Sequence, residues 1–376
     1  MKHIKVVIGA NYGDEGKGFT TSHLTQCDDS PVLNVLFNGG VQRGHTANDH
    51  VFHCFGAGAL DGASTYYDKN FMFNPTAWRE ECEQLGFKPD LYIHPEATIV
   101  TPFDMLINRA LEKKRDSKRH GSCGMGIYET ARRNLRLPIY AKDLFREYEL
   151  YNKLRYVQRI YGKIRCDELG LDEYILKVSV DQFMVDAYEM AQHCKMRTFE
   201  GIKDDFNTVI FEGAQGLALD KDNLKDYPYL TPSHTGSTNI LPYIYDAPID
   251  VDKEIWYVTR SYVTRHGNGP LPFECSKEDI NPNIVDKTNE PNDYQGSIRY
   301  GYFDVDSFMG RVENDWKNYE DVANVKQCIA ITHKNYTHGL MCIGKNDYAD
   351  FNKLTNHQYS DVYDLFLLEA KPFKDK

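Results

Sequence analysis

The stretch Ile4-Lys5-Val6-Val7-Ile8-Gly9-Ala10-Asn11-Tyr12-Gly13-Asp14-Glu15-Gly16-Lys17-Gly18 decides the fold class of this 376-residue chain. A short run rich in β-branched residues ends at Gly9, further glycines follow, and a helix-compatible stretch continues through Leu24. This order predicts a strand, a tight loop and a helix. Because a glycine-rich loop at the start of a helix presents backbone N–H groups to phosphate oxygens, the stretch predicts an α/β protein with a phosphate-binding loop.

The loop differs from the common Walker A loop, which has four residues between its two glycines and a Ser or Thr after the lysine. Here six residues separate Gly9 from Gly16, and Gly18 follows Lys17. The loop also contains two carboxylates, Asp14 and Glu15. Negative charge beside phosphate is costly unless a metal ion or a proton transfer uses it, so the loop predicts chemistry as well as binding.

Further apolar runs at residues 32–37, 208–211, 255–263 and 327–332 predict more strands, several of which end in glycine or polar residues. Such segments form ligand loops at the carboxyl edge of a parallel sheet. Residues 106–119 and 181–194 have the composition and spacing of helices. We therefore predict a mostly parallel central sheet, similar to that of P-loop NTPases, with helices on both faces. Residues 1–376 are expected to form one large domain, with a helical insertion at about 140–195.

Composition excludes several classes of protein. A formal net charge of -11 disfavours binding to nucleic acid, although it allows a local basic pocket for a small phosphorylated molecule. Nine cysteines without a C-x-x-C pair are typical of reduced thiols and not of a disulfide framework or a zinc site. No apolar run is long enough for a membrane span or a signal peptide. We expect a cytoplasmic protein, in the host cytoplasm if a phage encodes it.

Six segments of the chain, in order, resemble motifs of the adenylosuccinate synthetase family. Residues 12–18 are similar to the family's W-G-D-E-G-K-G, with Tyr12 in the tryptophan position. Residues 38–46 are similar to G-G-x-N-A-G-H-T, from which Gln42 and Arg43 depart. The other segments are residues 121–133, similar to a shortened G-T-T-G-R-G-I-G-P…A-R-R, residues 211–216 (F-E-G-A-Q-G), residues 227–231 (similar to Y-P-Y-V-T) and residues 264–270 (similar to T-R-x-G-x-G-P).

The resemblance implies a ligase that couples L-aspartate to C6 of a 6-oxopurine mononucleotide, with a nucleoside triphosphate and Mg²⁺. A base removes the N1 proton, O6 attacks the γ-phosphate, and the amino group of aspartate displaces the 6-phosphoryl group. The resemblance assigns the base and a magnesium ligand to Asp14, whose alternative role is to cap the following helix. His45 assists the oxygen where charge develops, Lys17 meets phosphate, and the carbonyl of Gly44 is a further metal ligand.

The resemblance also implies two sets of nucleotide-binding residues. The phosphate and ATP set is Gly13, Glu15, Gly16, Lys17, Gly18, Gly44, His45, Thr46 and Asn335. The acceptor set is Gln42, Gln215, Thr231, Arg132 and either Ser122 or Cys123. Arg132 matches an arginine that the family inserts into the neighbouring subunit's site, which implies a homodimer. In residues 295–304, which resemble the end of T-T-G-R-x-R-x-G-W, Arg299 remains as the clamp for a carboxylate of aspartate.

The segment Thr332-His333-Lys334-Asn335 stands where the family has T-K-L-D, whose aspartate accepts from N1–H and the 2-amino group of guanine. Asn335 offers one acceptor and one donor, which suit the 6-amino group and N1 of adenine. We therefore predict ATP or dATP as the phosphate donor. The alternative is a loop shifted out of register, in which Asn335 does not meet the base.

This donor change, the shortened loops and the short C-terminus resemble a phage branch of the family that converts dGMP to 2-amino-2′-deoxy-N6-succinyl-AMP, on the route to diaminopurine DNA. Guanine has the same 6-oxo and N1–H pair as hypoxanthine, so the chemistry of Asp14 and His45 applies to both bases. Two alternatives stay open: adenylosuccinate synthesis from IMP with GTP, and an inactive nucleotide-binding regulator. The joint presence of Asp14 and His45 opposes the regulator.

Overall fold

The structure is a computed structural model that describes residues 1–286, 296–355 and 361–364. The strands, numbered along the chain, are β1 (His3–Gly9), β2 (Val32–Leu36), β3 (His45–Ala47), β4 (His50–Phe52), β5 (Ser64–Tyr67), β6 (Met72–Phe73), β7 (Leu91–Ile93), β8 (Thr98–Ile99), β9 (Lys195–Met196), β10 (Thr208–Gly216), β11 (Asp252–Arg260), β12 (Val263–Arg265), β13 (Glu274–Cys275), β14 (Arg299–Gly301), β15 (Val325–Thr332), β16 (Met341–Gly344), β17 (Asp347–Ala349) and β18 (Asp361–Asp364).

The helices, numbered in the same way, are α1 (Lys17–Gln26), α2 (Pro75–Leu85), α3 (Pro102–Arg115), α4 (Ile127–Asn134), α5 (Glu147–Tyr156), α6 (Gly162–Leu169), α7 (Asp181–His193), α8 (Leu241–Tyr245), α9 (Lys277–Ile280), α10 (Val305–Trp316) and α11 (Phe351–Leu354). A single π-helical turn, Val157–Tyr161, joins α5 to α6. Within the described ranges, no helix combines the length and the apolar character needed to cross a bilayer.

Among the described residues, nine strands form one sheet in the order β18-β15-β11-β1-β10-β2-β5-β7-β9. Every neighbouring pair in this sheet is parallel. The predicted fold class, a mostly parallel central sheet with helices, is therefore confirmed. Strands β1 and β18 share this sheet, and a single domain over residues 1–376 stays a prediction. Helices α5 to α7 lie within the segment predicted to be a helical insertion.

Alternating side chains of β1 explain why the sheet is covered on both faces. Ile4 and Val6 point into a core that includes Phe308 of α10, whereas Val7 points into a second core that includes Leu24 of α1. Successive side chains of a strand point to opposite faces, so a strand with apolar side chains on both faces needs cover on both sides. The β-branched run of β1 therefore belongs at the centre of the sheet.

The carboxyl ends of the central strands meet at one edge, where the ligand loops were predicted. Gly9 at the end of β1 pairs with Gly216 of β10 on one side and with Val258 of β11 on the other. Arg260 at the end of β11 pairs with Thr332 of β15. The glycine loop thus lies between the segments that follow β10, β11 and β15.

Two predicted elements have different bounds in the structure. The apolar run at residues 255–263 contains the end of β11 and the start of β12, because Ser261 bonds to the carbonyl of Thr332 and the chain leaves the large sheet there. Strand β12 belongs to a small antiparallel sheet with β13 and β14. The helix predicted from residue 106 begins at Pro102, since Thr101 and Asp104 form a capping box.

Candidate active site

The glycine loop closes around the carboxylate of Glu15. Oε1 of Glu15 accepts hydrogen bonds from the N–H groups of Asn11 (3.0 Å) and Gly13 (2.8 Å). Oε2 pairs with Nζ of Lys17 at 2.7 Å, and both side chains are 2% exposed. Burial removes the carboxylate from solvent, and the hydrogen bonds from these donors replace its lost hydration. The side chain of Glu15 therefore shapes the loop, and only its backbone is available to a phosphate.

Asp14 occupies a left-handed backbone conformation, with φ of 59° at the tip of the loop. Its carboxylate is 21% exposed and lies 3.3 Å from Nε2 of His266. Its carbonyl accepts a hydrogen bond from Nε of Arg260. Helix α1 has Gly16 as its N-cap, without a capping side chain. The alternative role of Asp14 as a helix cap is therefore wrong, and its carboxylate faces the carboxyl edge of the sheet.

His45 belongs to a buried network with Arg43 and Glu212. Its Nδ1 lies 2.6 Å from Oε1 of Glu212, and Nη2 of Arg43 lies 2.8 Å from the same Nδ1 and 2.5 Å from the same Oε1. Burial and the charge of Arg43 lower the pKa of His45 to about 3, against the opposing effect of Glu212. Burial opposes ionisation of Glu212, but Arg43 and His45 outweigh it and lower the pKa of this carboxyl.

The absence of a side chain at Gly18 allows His45 to approach the loop. A Cβ at position 18 would lie 2.7 Å from Cβ of His45 and 2.9 Å from its carbonyl carbon. Contacts this short do not occur between real atoms, so only glycine fits in the first turn of α1. Gly44 and Thr46, on either side of His45, are exposed.

The predicted acceptor residues approach the loop from several segments. Gln215, with φ of 64°, is the residue before the last of β10, and its carbonyl would lie 2.7 Å from a Cβ at Gly9. The side-chain amide of Gln42 is buried against Gly39 and has no hydrogen-bond partner among the described residues. Gln215 therefore lies at the phosphate-binding loop, and Gln42 lies beside Gly39, where a Cβ would meet Ala214 of β10.

Ser122, Cys123 and Thr231 are connected to the loop through the segment that contains His266. A Cβ at Gly121 would lie 2.5 Å from Cα of Gly267, so the segment before Ser122 packs on this turn. Arg265 donates to the carbonyl of Tyr229 at 3.0 Å, which brings in the segment of Thr231. Oγ of Ser122 pairs with Asn108, and burial raises the pKa of the Cys123 thiol.

Two predicted arginines have other partners in the structure. Arg132, on α4, is 41% exposed and contacts Glu168 of α6 at 3.2 Å. Arg299, on β14, forms two hydrogen bonds with Glu274 and two more with the carbonyls of Gly267 and Gly269. All three nitrogens of the Arg299 guanidinium are thus engaged, and its role as a clamp for aspartate stays a prediction. Gln295, which begins the same predicted segment, lies outside the described residues.

Strand β15 brings the predicted donor-base residue to the glycine loop. Oγ1 of Thr332 donates to the carbonyl of Glu15 at 2.7 Å. Three residues later, Asn335 is exposed in the 3-10 turn Lys334–Tyr336. A phosphate on the loop and a base near this turn are therefore compatible with one bound nucleotide.

The donor atoms near the loop fit the magnesium site that the resemblance implies. Asp14 has an accessible carboxylate, and Gly44 is exposed, so both provide the oxygen ligands that Mg²⁺ prefers. Among the described residues, Asp220, Asp222 and His234 also bring potential ligand atoms within 4.8 Å of one another.

A family model described as adenylosuccinate synthetase matches residues 6–323 of the chain. The chain belongs to the adenylosuccinate synthetase family. This membership makes it a ligase that forms carbon–nitrogen bonds, with nucleotide binding and a place in purine biosynthesis. The family uses Mg²⁺ and nucleotide substrates.

A curated relative supports the same family membership, and two solved structures have a similar fold. The adenylosuccinate synthetase of Synechocystis sp. is 31% identical over 345 residues, which cover 87% of this chain and 73% of that protein. A fully ligated adenylosuccinate synthetase from Plasmodium falciparum has a similar fold, with a TM-score of 0.66, 21% identity, and coverage of 89% and 78%. The succinoaminodeoxyadenylate synthetase of cyanophage S-2L, solved with dGMP and dATP, gives a TM-score of 0.60 at 15% identity, with coverage of 89% and 86%.

Sequence reasoning missed three residues around the site of this adenylosuccinate synthetase relative. His266 stands at the variable position of T-R-x-G-x-G-P. A titratable side chain inside a matched motif was the signal that could have indicated its place near the site. Arg43 was noted only as a departure from the family motif. Glu212 stands in the matched F-E-G-A-Q-G, but its partners Arg43 and His45 are distant in sequence.

Proposed function

We propose that this ligase couples L-aspartate to C6 of a purine mononucleotide, with dGMP as the favoured acceptor and ATP or dATP as the phosphate donor. The observation that carries the proposal is the placement of an accessible carboxylate, Asp14, and an imidazole, His45, at the same phosphate-binding loop. A carboxylate is a suitable base for the N1 proton of a 6-oxopurine. The product is 2-amino-2′-deoxy-N6-succinyl-AMP, a precursor of diaminopurine DNA.

The chain's own groups divide the reaction between them. Asp14 accepts the proton from N1, which makes O6 nucleophilic toward the γ-phosphate. His45 stabilises the oxygen at which charge develops. Lys17 binds phosphate with the ammonium donors that Glu15 does not use, since an ammonium has three. Mg²⁺, held by Asp14 and the carbonyl of Gly44, would neutralise phosphate charge when bound.

Asn335 supports adenine as the donor base, because its amide matches the 6-amino group and N1. The hydrogen bond between Thr332 and the loop supports this placement. The cyanophage protein of similar fold, which is bound to dGMP and dATP, is consistent with both halves of the proposal.

A second candidate is synthesis of adenylosuccinate from IMP with GTP. It is favoured by sequence identity, because in structural alignments the adenylosuccinate synthetase of Plasmodium falciparum is 21% identical to this chain and the phage protein 15%. The chemistry of Asp14 and His45 is the same for both acceptors. The two candidates differ at the donor base and at C2 of the acceptor.

The deciding experiment supplies aspartate and Mg²⁺ with each pairing of IMP or dGMP with ATP or GTP. Phosphate release and the succinylated purine are measured in every pairing. We expect product from dGMP with ATP; product from IMP alone would overturn the acceptor assignment, and turnover with GTP alone would overturn the donor assignment. Asp14→Asn is expected to abolish product formation and leave nucleotide binding largely intact. Full activity of this variant would show that another group is the base.

A further inference from the structure

Helix α3 supports the loop of residues 121–126, which we call the acceptor loop because it contains the predicted acceptor residues. Glu112 accepts a hydrogen bond from the N–H of Gly121 at 3.0 Å, and Nε of Arg109 donates to the carbonyl of Gly124 at the same distance. Residues three or four apart share one face of a helix, so both side chains leave α3 on the side of the loop. The backbone of the acceptor loop is thus held by side chains of one regular element.

The acceptor loop also has the features of a phosphate site. Gly121, Gly124 and Gly126 all have positive φ, which glycine adopts without strain. Gly126 is the N-cap of α4, and among the described residues no side chain caps this helix. A glycine-rich loop before a helix presents backbone N–H groups to phosphate oxygens. The 5′-phosphate of the acceptor mononucleotide is the group that fits this loop.

Asn108 of α3 binds both the middle and the end of the acceptor loop. Its Oδ1 accepts from the N–H of Gly126 at 3.1 Å, and its Nδ2 lies 2.8 Å from Oγ of Ser122. A backbone N–H only donates, so the amide atom that faces Gly126 is the oxygen, and the orientation of the amide is fixed. Nδ2 therefore donates to the hydroxyl of Ser122. The side chain of Asn108 is buried, so water does not compete for these bonds.

This arrangement prepares the hydroxyl of Ser122 to donate to a ligand. Nδ2 of Asn108 occupies a lone pair of Oγ, and the hydroxyl proton is directed to Oδ1 at 3.2 Å, a longer contact with an oxygen that Gly126 already uses. A phosphate oxygen is a stronger acceptor for this proton, because it is charged. Cys123 offers only a weak S–H donor. The geometry thus favours Ser122 over Cys123 as the side chain that binds phosphate.

We propose that Asn108 is a positioning residue for the acceptor nucleotide, which orients the hydroxyl of Ser122 toward the 5′-phosphate and holds Gly126 at the start of α4. The proposal rests on the proposed function, since it assumes a mononucleotide acceptor. Asn108 does not itself bind the phosphate, because both polar atoms of its amide are used within the loop. Its effect is therefore on affinity for the phosphate and not on the chemistry at C6.

The test measures how much the 5′-phosphate adds to binding. Isothermal titration calorimetry gives Kd for dGMP and for deoxyguanosine, with the wild type and with Asn108→Leu, which replaces the amide by an apolar group of similar shape. We expect Asn108→Leu to weaken binding of dGMP by about tenfold or more, as the loss of one hydrogen bond to a charged group predicts. Binding of deoxyguanosine should be nearly unchanged.

Steady-state kinetics with a matched control gives a second readout. Asn108→Leu should raise KM for the acceptor by a similar factor, with KM for ATP and kcat nearly unchanged. Asn74→Leu is the control, because Asn74 is also buried, accepts from the N–H of Ala77 at 3.0 Å and donates to the carbonyl of Val100 at 3.1 Å. It should leave the contribution of the 5′-phosphate unchanged.

A double variant tests whether Asn108 acts through Ser122. In a Ser122→Ala background, Asn108→Leu should weaken binding of dGMP by a smaller factor than it does alone, because residues that act through one group are not additive. Full additivity would overturn the proposal. So would unchanged binding of dGMP by folded Asn108→Leu, or an equal loss for dGMP and deoxyguanosine.

Two further measurements keep the test decisive. Circular dichroism at the assay temperature establishes that each variant is folded, and Asn108→Ala, which adds no volume, replaces a leucine variant that does not fold. Product from IMP alone would overturn the proposed acceptor. The same comparison with IMP and inosine then tests Asn108, so that failure of the proposed function and failure of the positioning role are distinguished.

Discussion

The amide of Asn335 offers one donor and one acceptor at an exposed turn, whereas a carboxylate at this position offers acceptors alone. The turn lies three residues beyond Thr332, which is bonded to the glycine loop. A base bound at this turn would therefore be recognised by a side chain that is fixed relative to the phosphates. A mismatched pair leaves one polar group unpaired, which costs about 1–3 kcal/mol.

Asn335→Asp is therefore expected to shift the donor preference toward GTP. The ratio of kcat/KM for GTP over that for ATP should rise by about tenfold or more, as the cost of one unpaired group predicts. Steady-state kinetics with both triphosphates measures the ratio. Asn352→Asp, the same change at an exposed position of α11, is the control and should leave the ratio unchanged. An equal ratio in both variants would show that Asn335 does not read the base.

Single residues also show what the sequence could not reveal. Asp14, Lys17 and His45 were predicted because their motifs are local. The partner of Arg43 is 169 residues away, so the sequence showed only that the position was unusual. Arg299 was assigned to aspartate by resemblance, but its pairing with Glu274 depends on the antiparallel contact of β13 and β14, which no local pattern predicted.

The contact of helix α1 with strand β3 depends on one glycine. Gly18→Ala would place a Cβ 2.7 Å from that of His45, and such overpacking typically costs about 1–3 kcal/mol. We expect a lower free energy of unfolding in denaturant and a strong loss of kcat, because His45 must move. Gly310→Ala in α10, where a Cβ meets nothing within 4 Å, is the control. It should be stabilising by up to about 1 kcal/mol, with normal kcat.

Helix α10 is joined to the segment after β10 by the carboxyl of Asp315. Ser237 donates to it from N–H (2.9 Å) and Oγ (2.5 Å), and Tyr257 donates from its hydroxyl (2.8 Å). Burial raises the pKa of Asp315 above its ordinary value of 3.8, and these donors only partly offset that effect. The folded state thus binds this proton more tightly than the unfolded state.

This raised pKa predicts how stability depends on pH. The contribution of Asp315 is fully present below pH 3.8 and is lost as pH rises through the folded-state pKa. The free energy of unfolding of the wild type, minus that of Asp315→Asn, should therefore fall with rising pH above about 4, by at most about 1.4 kcal/mol per pH unit. Urea titrations across this range measure it. Asp306→Asn, exposed on α10, controls for the change in charge, and a rising difference would contradict the prediction.

Elements were predictable where their signals are local. Strand β1 and helix α1 follow from β-branched residues and glycines that are neighbours in sequence. The run at residues 255–263 was interpreted as one strand because apolar character continues across it, but the chain turns at Ser261 to bond with Thr332. That turn depends on β15, about 70 residues later, and lies beyond any local pattern.

At the scale of the whole molecule, the predicted homodimer can be tested by mixing two inactive variants, because a monomer would not recover activity. If Arg132 completes the partner's site, Arg132→Ala and Asp14→Asn each inactivate both sites of a homodimer. A mixed dimer has one site with both residues intact, so mixing the two inactive variants should restore about a quarter of wild-type activity after random exchange. No recovery, with exchange verified by native mass spectrometry of tagged subunits, would contradict a shared site.

The fold class was predictable from the sequence, but the order of strands was not. Apolar runs that end in glycine or polar residues indicated a parallel sheet and the edge at which its ligand loops lie. Nothing in the runs themselves indicates that β10 and β11 flank β1. That arrangement follows from the packing of side chains on both faces, which only the assembled sheet defines.

The central position of β1 also affects how the chain folds during its synthesis on the ribosome. Its two neighbours, Thr208–Gly216 and Asp252–Arg260, are made some 200 or more residues later. At a rate of protein synthesis of about 5–20 residues per second, β1 leaves the ribosome on the order of 10–50 s before its pairing partners are made. Such high contact order slows folding and leaves an apolar strand open to aggregation. Early termination before residue 260 should therefore yield insoluble fragments, and a chaperone that shields the first strand should raise the yield of active enzyme.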